Sequence, residues 1–157
     1  LGDAGELLHL AAGPVAGTLD VDGLHHSAGL GHAREHLEAG ILHNVGDVVE
    51  QHAEAHGYGV IRDLCGHGIG QEMHEDPNVP NFGVAGRGVK LRAGMTIAIE
   101  PMISMGTWKV YCEDNDWTIV TRDGSLCSHY EHTVLITDGE PEVLSFPGKK
   151  VAEEVCR

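Results

Sequence analysis

The stretch GMTIAIEPMIS, residues 94–104, decides the fold. Met95, Ile97 and Ile99 alternate with Thr96, Ala98 and Glu100, the period-two pattern of a strand with one apolar face. Glu is disfavoured in strands and is rarely buried without a partner. Either the strand has left the core by Glu100, or Glu100 is held there by something. Further strands are predicted downstream over 117–121, 130–136 and 142–144. Upstream, Val45, Val48, Val49 and Ala53 share one face of a helix. Asn44 is placed to cap that helix, acidic Asp47 and Glu50 fall in its first turns, and Gly57 or Gly59 ends it. A second helical spacing, Leu24, Ala28, Ala33 and Leu37, covers 24–39 and joins the first around Gly40. Residues 1–23 read as strand and turn, 77–94 as a long loop, and the segment from 148 as a charged tail. Helices followed by antiparallel-looking strands make the fold class α+β.

The composition bounds the function. A chain of 157 residues with 41% hydrophobic and 22% charged residues is globular and of single-domain size. Aromatics are 4%, so the core is aliphatic. A net charge of −14 argues against a nucleic-acid groove, which needs clustered Lys and Arg. No apolar run is long enough to span a membrane, and no basic-then-apolar leader opens the chain. The 4 cysteines form no C-x-x-C pair, which removes a zinc ribbon and favours a reducing, cytoplasmic setting. The chain starts at Leu1 rather than Met, which suggests that the start of a longer protein is missing.

Three segments carry candidate chemistry. In Cys65-Gly66-His67-Gly68-Ile69-Gly70, glycines flank an imidazole and let backbone pass close to a ligand; a turn histidine is the plainer reading. His74-Glu75 resembles half of a zincin helix, but the second histidine position is Asn78 and Pro77 would break the helix. Glu100 and Glu131 are carboxylates at or within apolar strands, and Glu131 shares a face with Thr133 and Leu135. Carboxylates with an imidazole suit divalent Mn, Fe, Co or Zn, whereas a structural zinc would call on cysteine. The pairs His32/His36 and His52/His56 have helical i, i+4 spacing, which more commonly marks a solvated face than a chelate.

Taken together, CGHGIGQEMHEDPNVPNFG (65–83), GMTIAIEPMIS (94–104) and DNDWTIVTRDGSLCSHYEHTVLITDG (114–139) resemble, in that order, the C-terminal half of a type I methionine aminopeptidase. The resemblance extends over 36–145. It implies a partial pita-bread (creatinase/aminopeptidase-like) fold, with two helices packed on a curved antiparallel sheet. The chain then reads as one N-terminally incomplete metallopeptidase domain over 1–157. Its parts are a strand and turn segment (1–23), a helical pair (24–59), a sheet with the metal and substrate motifs (60–147) and a tail (148–157).

The same resemblance implies two divalent metal ions, Co, Mn, Fe or Zn, that activate a water to cleave the N-terminal methionine from nascent peptides. Asp3, His67, Glu100 and Glu131 would be metal ligands, with Glu131 and Asp3 bridging. Glu100 would also carry the proton to the leaving amine, and His74 would stabilise the oxyanion. Met73 and Trp117 would line the methionine pocket together with His74. His129 stands where the family usually has Gln, and Met73 where an aromatic is common. A first Asp ligand and a substrate-contacting His would precede Leu1, so low activity is expected of this chain alone, with sheet and pocket surface left exposed. The implied partners are nascent chains near the ribosome, with no nucleic-acid groove, no membrane and a monomeric complete enzyme. Alternatives are an Xaa-Pro aminopeptidase-like relative, or a non-catalytic paralogue or fragment that binds a partner or sequesters metal.

Overall fold

The structure, a computed structural model, describes residues 40–145. Expectations for residues 1–39 and 146–157, including the second helix, Asp3 and the His32/His36 pair, lie outside the described residues. Among the described residues, one helix, α1 (Leu42–Ala55), precedes ten short strands. These are β1 (Gly59–Val60), β2 (Gly66–Ile69), β3 (Glu75–Val79), β4 (Thr96–Ile99), β5 (Met102–Ser104), β6 (Val110–Cys112), β7 (Ile119–Thr121), β8 (Cys127–His129), β9 (His132–Leu135) and β10 (Glu142–Val143). All strand pairs are antiparallel. The architecture is α+β, but the strands fall into three sheets rather than one: β10-β9-β4-β2-β3, β1-β5-β8 and the β6-β7 hairpin.

Helix α1 starts three residues earlier than the capping reading predicts. Its N-cap is Ile41, no side chain caps it, and no acidic residue lies in its first turn. Loop carbonyls replace the cap, because the amides of Leu42 and His43 donate to Val89 at 2.9 Å and Arg87 at 3.3 Å. Asn44 sits inside the helix, where its Oδ1 accepts the Gly86 amide at 2.7 Å. The C-terminus does follow glycine chemistry. Gly57 has φ +80°, its amide donates to Glu54 O, and the Tyr58 amide donates to Ala53 O. That pairing is a Schellman motif.

The core joins α1 to the five-stranded sheet. Leu42 and Val45 cluster with Val79, Leu91, Ile97, Ile99, Val134 and Ile136. Strand β4 differs from the one-faced strand read in the sequence: Ile97 and Ala98 are both fully buried, so both faces are covered. The segment read as loop from Pro77 begins inside β3 instead. This strand lies at the sheet edge, where a proline without an N–H costs no ladder bond.

Candidate metal centre

Strand register assembles the site. Ile99 pairs with His132 and Met102 pairs with His129. Both pairs belong to one antiparallel register, so Glu100 faces Glu131 across the gap between them. Pro101 interrupts the ladder because it has no N–H, yet its carbonyl still accepts the Tyr130 amide at 3.3 Å. Asn81, almost fully buried, donates from Nδ2 to the Glu100 carbonyl at 3.0 Å and fixes the backbone there. On the other side of β4, His67 pairs with Ala98. Same-face residues lie two apart along a strand, so His67, Glu100 and Glu131 share the face opposite Ile97, Ile99 and Val134.

The side chains meet as the register requires. His67 Nε2 lies 3.4 Å from Glu100 Oε1, with both side chains 13% exposed. His67 Nδ1 lies 2.9 Å from the Gly68 carbonyl. A carbonyl only accepts, so Nδ1 carries the proton and Nε2 turns its lone pair to the centre. On the far oxygen, His129 Nε2 lies 3.3 Å from Glu100 Oε2. Ligand atoms of Glu100, His129 and Glu131 all fall within 4.8 Å of one another, and His67 adjoins this group through Glu100.

These residues fit a divalent cation. Two carboxylates placed directly opposite repel unless a positive charge lies between them. The buried His129 Nε2 has no hydrogen-bond partner, although buried polar atoms are ordinarily satisfied. Mixed carboxylate and imidazole donors are the set that first-row divalent ions take. Cys65 lines the neighbouring cleft but is a poor ready-made ligand. Burial first, and then the Glu100 charge, pushes its thiol up and disfavours the thiolate.

The other sequence candidates are placed less uniformly. His74 stacks near His67, with ring centroids 4.2 Å apart. Both line a cleft of about 410 Å³ together with Cys65, Asp76 and Asn78. Met73 is 57% exposed and Trp117 45% exposed, on the β2–β3 turn and the β6–β7 loop, and neither is among the residues lining that cleft. His132 points to the core face instead. Burial lowers its pKa against an opposing pull from the Glu131 charge, and its Nδ1 meets Ser145 Oγ at 3.0 Å. His52 and His56 have ring centroids 4.5 Å apart on α1, away from this cluster in the sheet. His129 is the site residue that motif reading did not assign. Its signal was the i, i+2 spacing to Glu131, which puts both on one side of an extended chain.

The model of metallopeptidase family M24 matches residues 25–138. The methionine aminopeptidase of Clostridium acetobutylicum is 56% identical over 104 residues, spanning 66% of this chain and 42% of that protein. Methionine aminopeptidase 1 of Bacillus subtilis is 39% identical over 104 residues, spanning 66% and 42%. Among solved structures, methionine aminopeptidase from Thermotoga maritima superposes with a TM-score of 0.70 at 49% identity, over 73% of this chain and 47% of that one. The enzyme from Rickettsia prowazekii gives a TM-score of 0.67 at 37% identity, over 68% and 44%. The chain spans about two fifths of the length of these curated relatives.

Proposed function

Because this chain belongs to metallopeptidase family M24, we propose that it carries the sheet-borne part of a metal-dependent aminopeptidase that removes N-terminal methionine from nascent proteins. The observation that carries this reading is the pair Glu100 and Glu131, opposed across one ladder with the His67 imidazole 3.4 Å from Glu100. The α+β architecture is that of a partial pita-bread fold, as in the methionine aminopeptidase structures.

In this reading His67, Glu100 and Glu131 hold two divalent ions of the Co, Mn, Fe or Zn class, with Asp3 as a further ligand. Bound ions of this kind acidify water and polarise a peptide carbonyl. Glu100 then holds the proton taken from water and passes it to the departing amine. His74, beside His67 and open to the cleft, donates to the carbonyl oxygen as negative charge develops there. Met73 and Trp117 are the residues this reading assigns to the methionine side chain, whose sulfur favours soft and aromatic neighbours, although in this chain both stand exposed outside the cleft. Nascent chains as substrate put this work in the cytoplasm near the ribosome, with the complete enzyme a monomer.

The test is a peptide assay on the full chain loaded with Mn or Co. Slow release of Met from Met-Ala-Ser, far below that of a complete methionine aminopeptidase, lost on chelation and slower still for an Xaa-Pro peptide, is the expected result. Preference for the Xaa-Pro peptide, or release that survives chelation, contradicts it.

A further inference from the structure

We propose that His129 is an additional nitrogen ligand of this centre, which makes it a two-imidazole site biased towards nitrogen-preferring ions such as Co and Zn over Mn. The inference rests on the metal-centre reading above and adds a residue to it. The two imidazoles approach different oxygens of one carboxylate: His67 Nε2 lies 3.4 Å from Glu100 Oε1, and His129 Nε2 lies 3.3 Å from Glu100 Oε2. Donor atoms on one ion, each bound at about 2.1 Å, stand roughly 3.0 to 3.4 Å apart at octahedral or tetrahedral angles. Both separations fall at that spacing and beyond the usual N–H···O distance of about 2.9 to 3.0 Å.

Three further observations converge on His129. Its Nε2 is buried and makes no hydrogen bond. It closes a group with Glu100 and Glu131 in which every ligand atom lies within 4.8 Å of the others. Its position is fixed by the β5–β8 ladder, since His129 pairs with the buried Met102. Backbone register thus holds the residue where its ring reaches Glu100 Oε2. Added imidazole raises affinity along the series from Mn to Co and Zn more than added carboxylate does, because borderline ions prefer nitrogen.

The experiment compares the full chain with His129→Gln, His129→Ala and Glu131→Gln, each stripped of metal and titrated with Co and Mn. Pulsed EPR of the Mn-loaded protein counts coordinated imidazole nitrogens, and circular dichroism verifies folding. The expected result is two imidazoles in the parent and one in His129→Gln. Co affinity falls about tenfold or more in that variant, and Mn affinity falls less. Gln keeps a hydrogen-bonding group of similar reach, so a residue that merely orients Glu100 would leave both readouts unchanged. That outcome overturns the proposal. Free imidazole restores Co affinity to folded His129→Ala if the ring is a ligand, and failure to do so counts against it. Glu131→Gln binding as tightly as the parent overturns the whole centre, whereas loss in Glu131→Gln with none in His129→Gln overturns this assignment alone.

Discussion

His67 Nε2 and Glu100 Oε1 stand 3.4 Å apart although the residues come from different strands. The distance is set by β2–β4 pairing, in which His67 sits opposite Ala98 and one step along the face from Glu100. The Gly68 carbonyl orients the ring from behind. His67→Asn should therefore lower divalent-metal affinity by about tenfold or more while leaving the thermal midpoint of the metal-free chain nearly unchanged. Parallel metal titration and melting of both proteins check it.

The glycines flanking His67 are needed for close backbone approach. A Cβ on Gly66 would run into the Ala98 carbonyl oxygen, and one on Gly68 into the Asp76 carbonyl oxygen. Gly66→Ala should destabilise the fold by about 1–3 kcal/mol through overpacking and weaken metal binding with it. Urea denaturation measures the first effect and calorimetry the second.

Core and centre lie on opposite faces of β4, so they should separate by mutation. Leu42 is 1% exposed within the core cluster. Leu42→Ala should cost about 2–5 kcal/mol, yet the protein that remains folded should bind metal as before. A matching loss of affinity in folded protein would show the two faces to be coupled.

Much of this was legible in the sequence because it is local. The alternation through Ile97 and Ile99 gave β4, and the glycine at 57 marked the helix end. Long-range register was not legible, since nothing near Glu100 states that it faces Glu131 or that Met102 aligns with His129. For that reason the sequence presents His129 as a departure from a family pattern rather than as part of the site. The helix start departs from the local capping signal for a related reason. Asn44 has good capping chemistry, but the carbonyls of Val89 and Arg87, distant in sequence, satisfy the first amides instead.

An acid-side stability effect should come from the β7–β8 turn. Asp123 accepts the Thr107 amide at 2.7 Å and the Ser125 amide at 3.0 Å. The Thr107 bond above all, then those from Ser125, holds its carboxyl at about 2. A lowered folded-state pKa means the stabilisation is present above the unfolded value, about 3.9, and is lost as pH falls towards the folded one. Asp123→Asn should flatten that part of the curve. Urea midpoints collected from about pH 5 downwards test it, and an unchanged slope would remove Asp123 as the cause.

Calorimetric titration of Mn into the full 157-residue chain is the direct test of a divalent-metal centre built on Glu100, Glu131 and His67. The parent should bind, Glu131→Gln should lose most of that binding, and a His32→Asn/His36→Asn double variant should bind like the parent. Parent-like binding in Glu131→Gln, with loss confined to the His32/His36 variant, would contradict it.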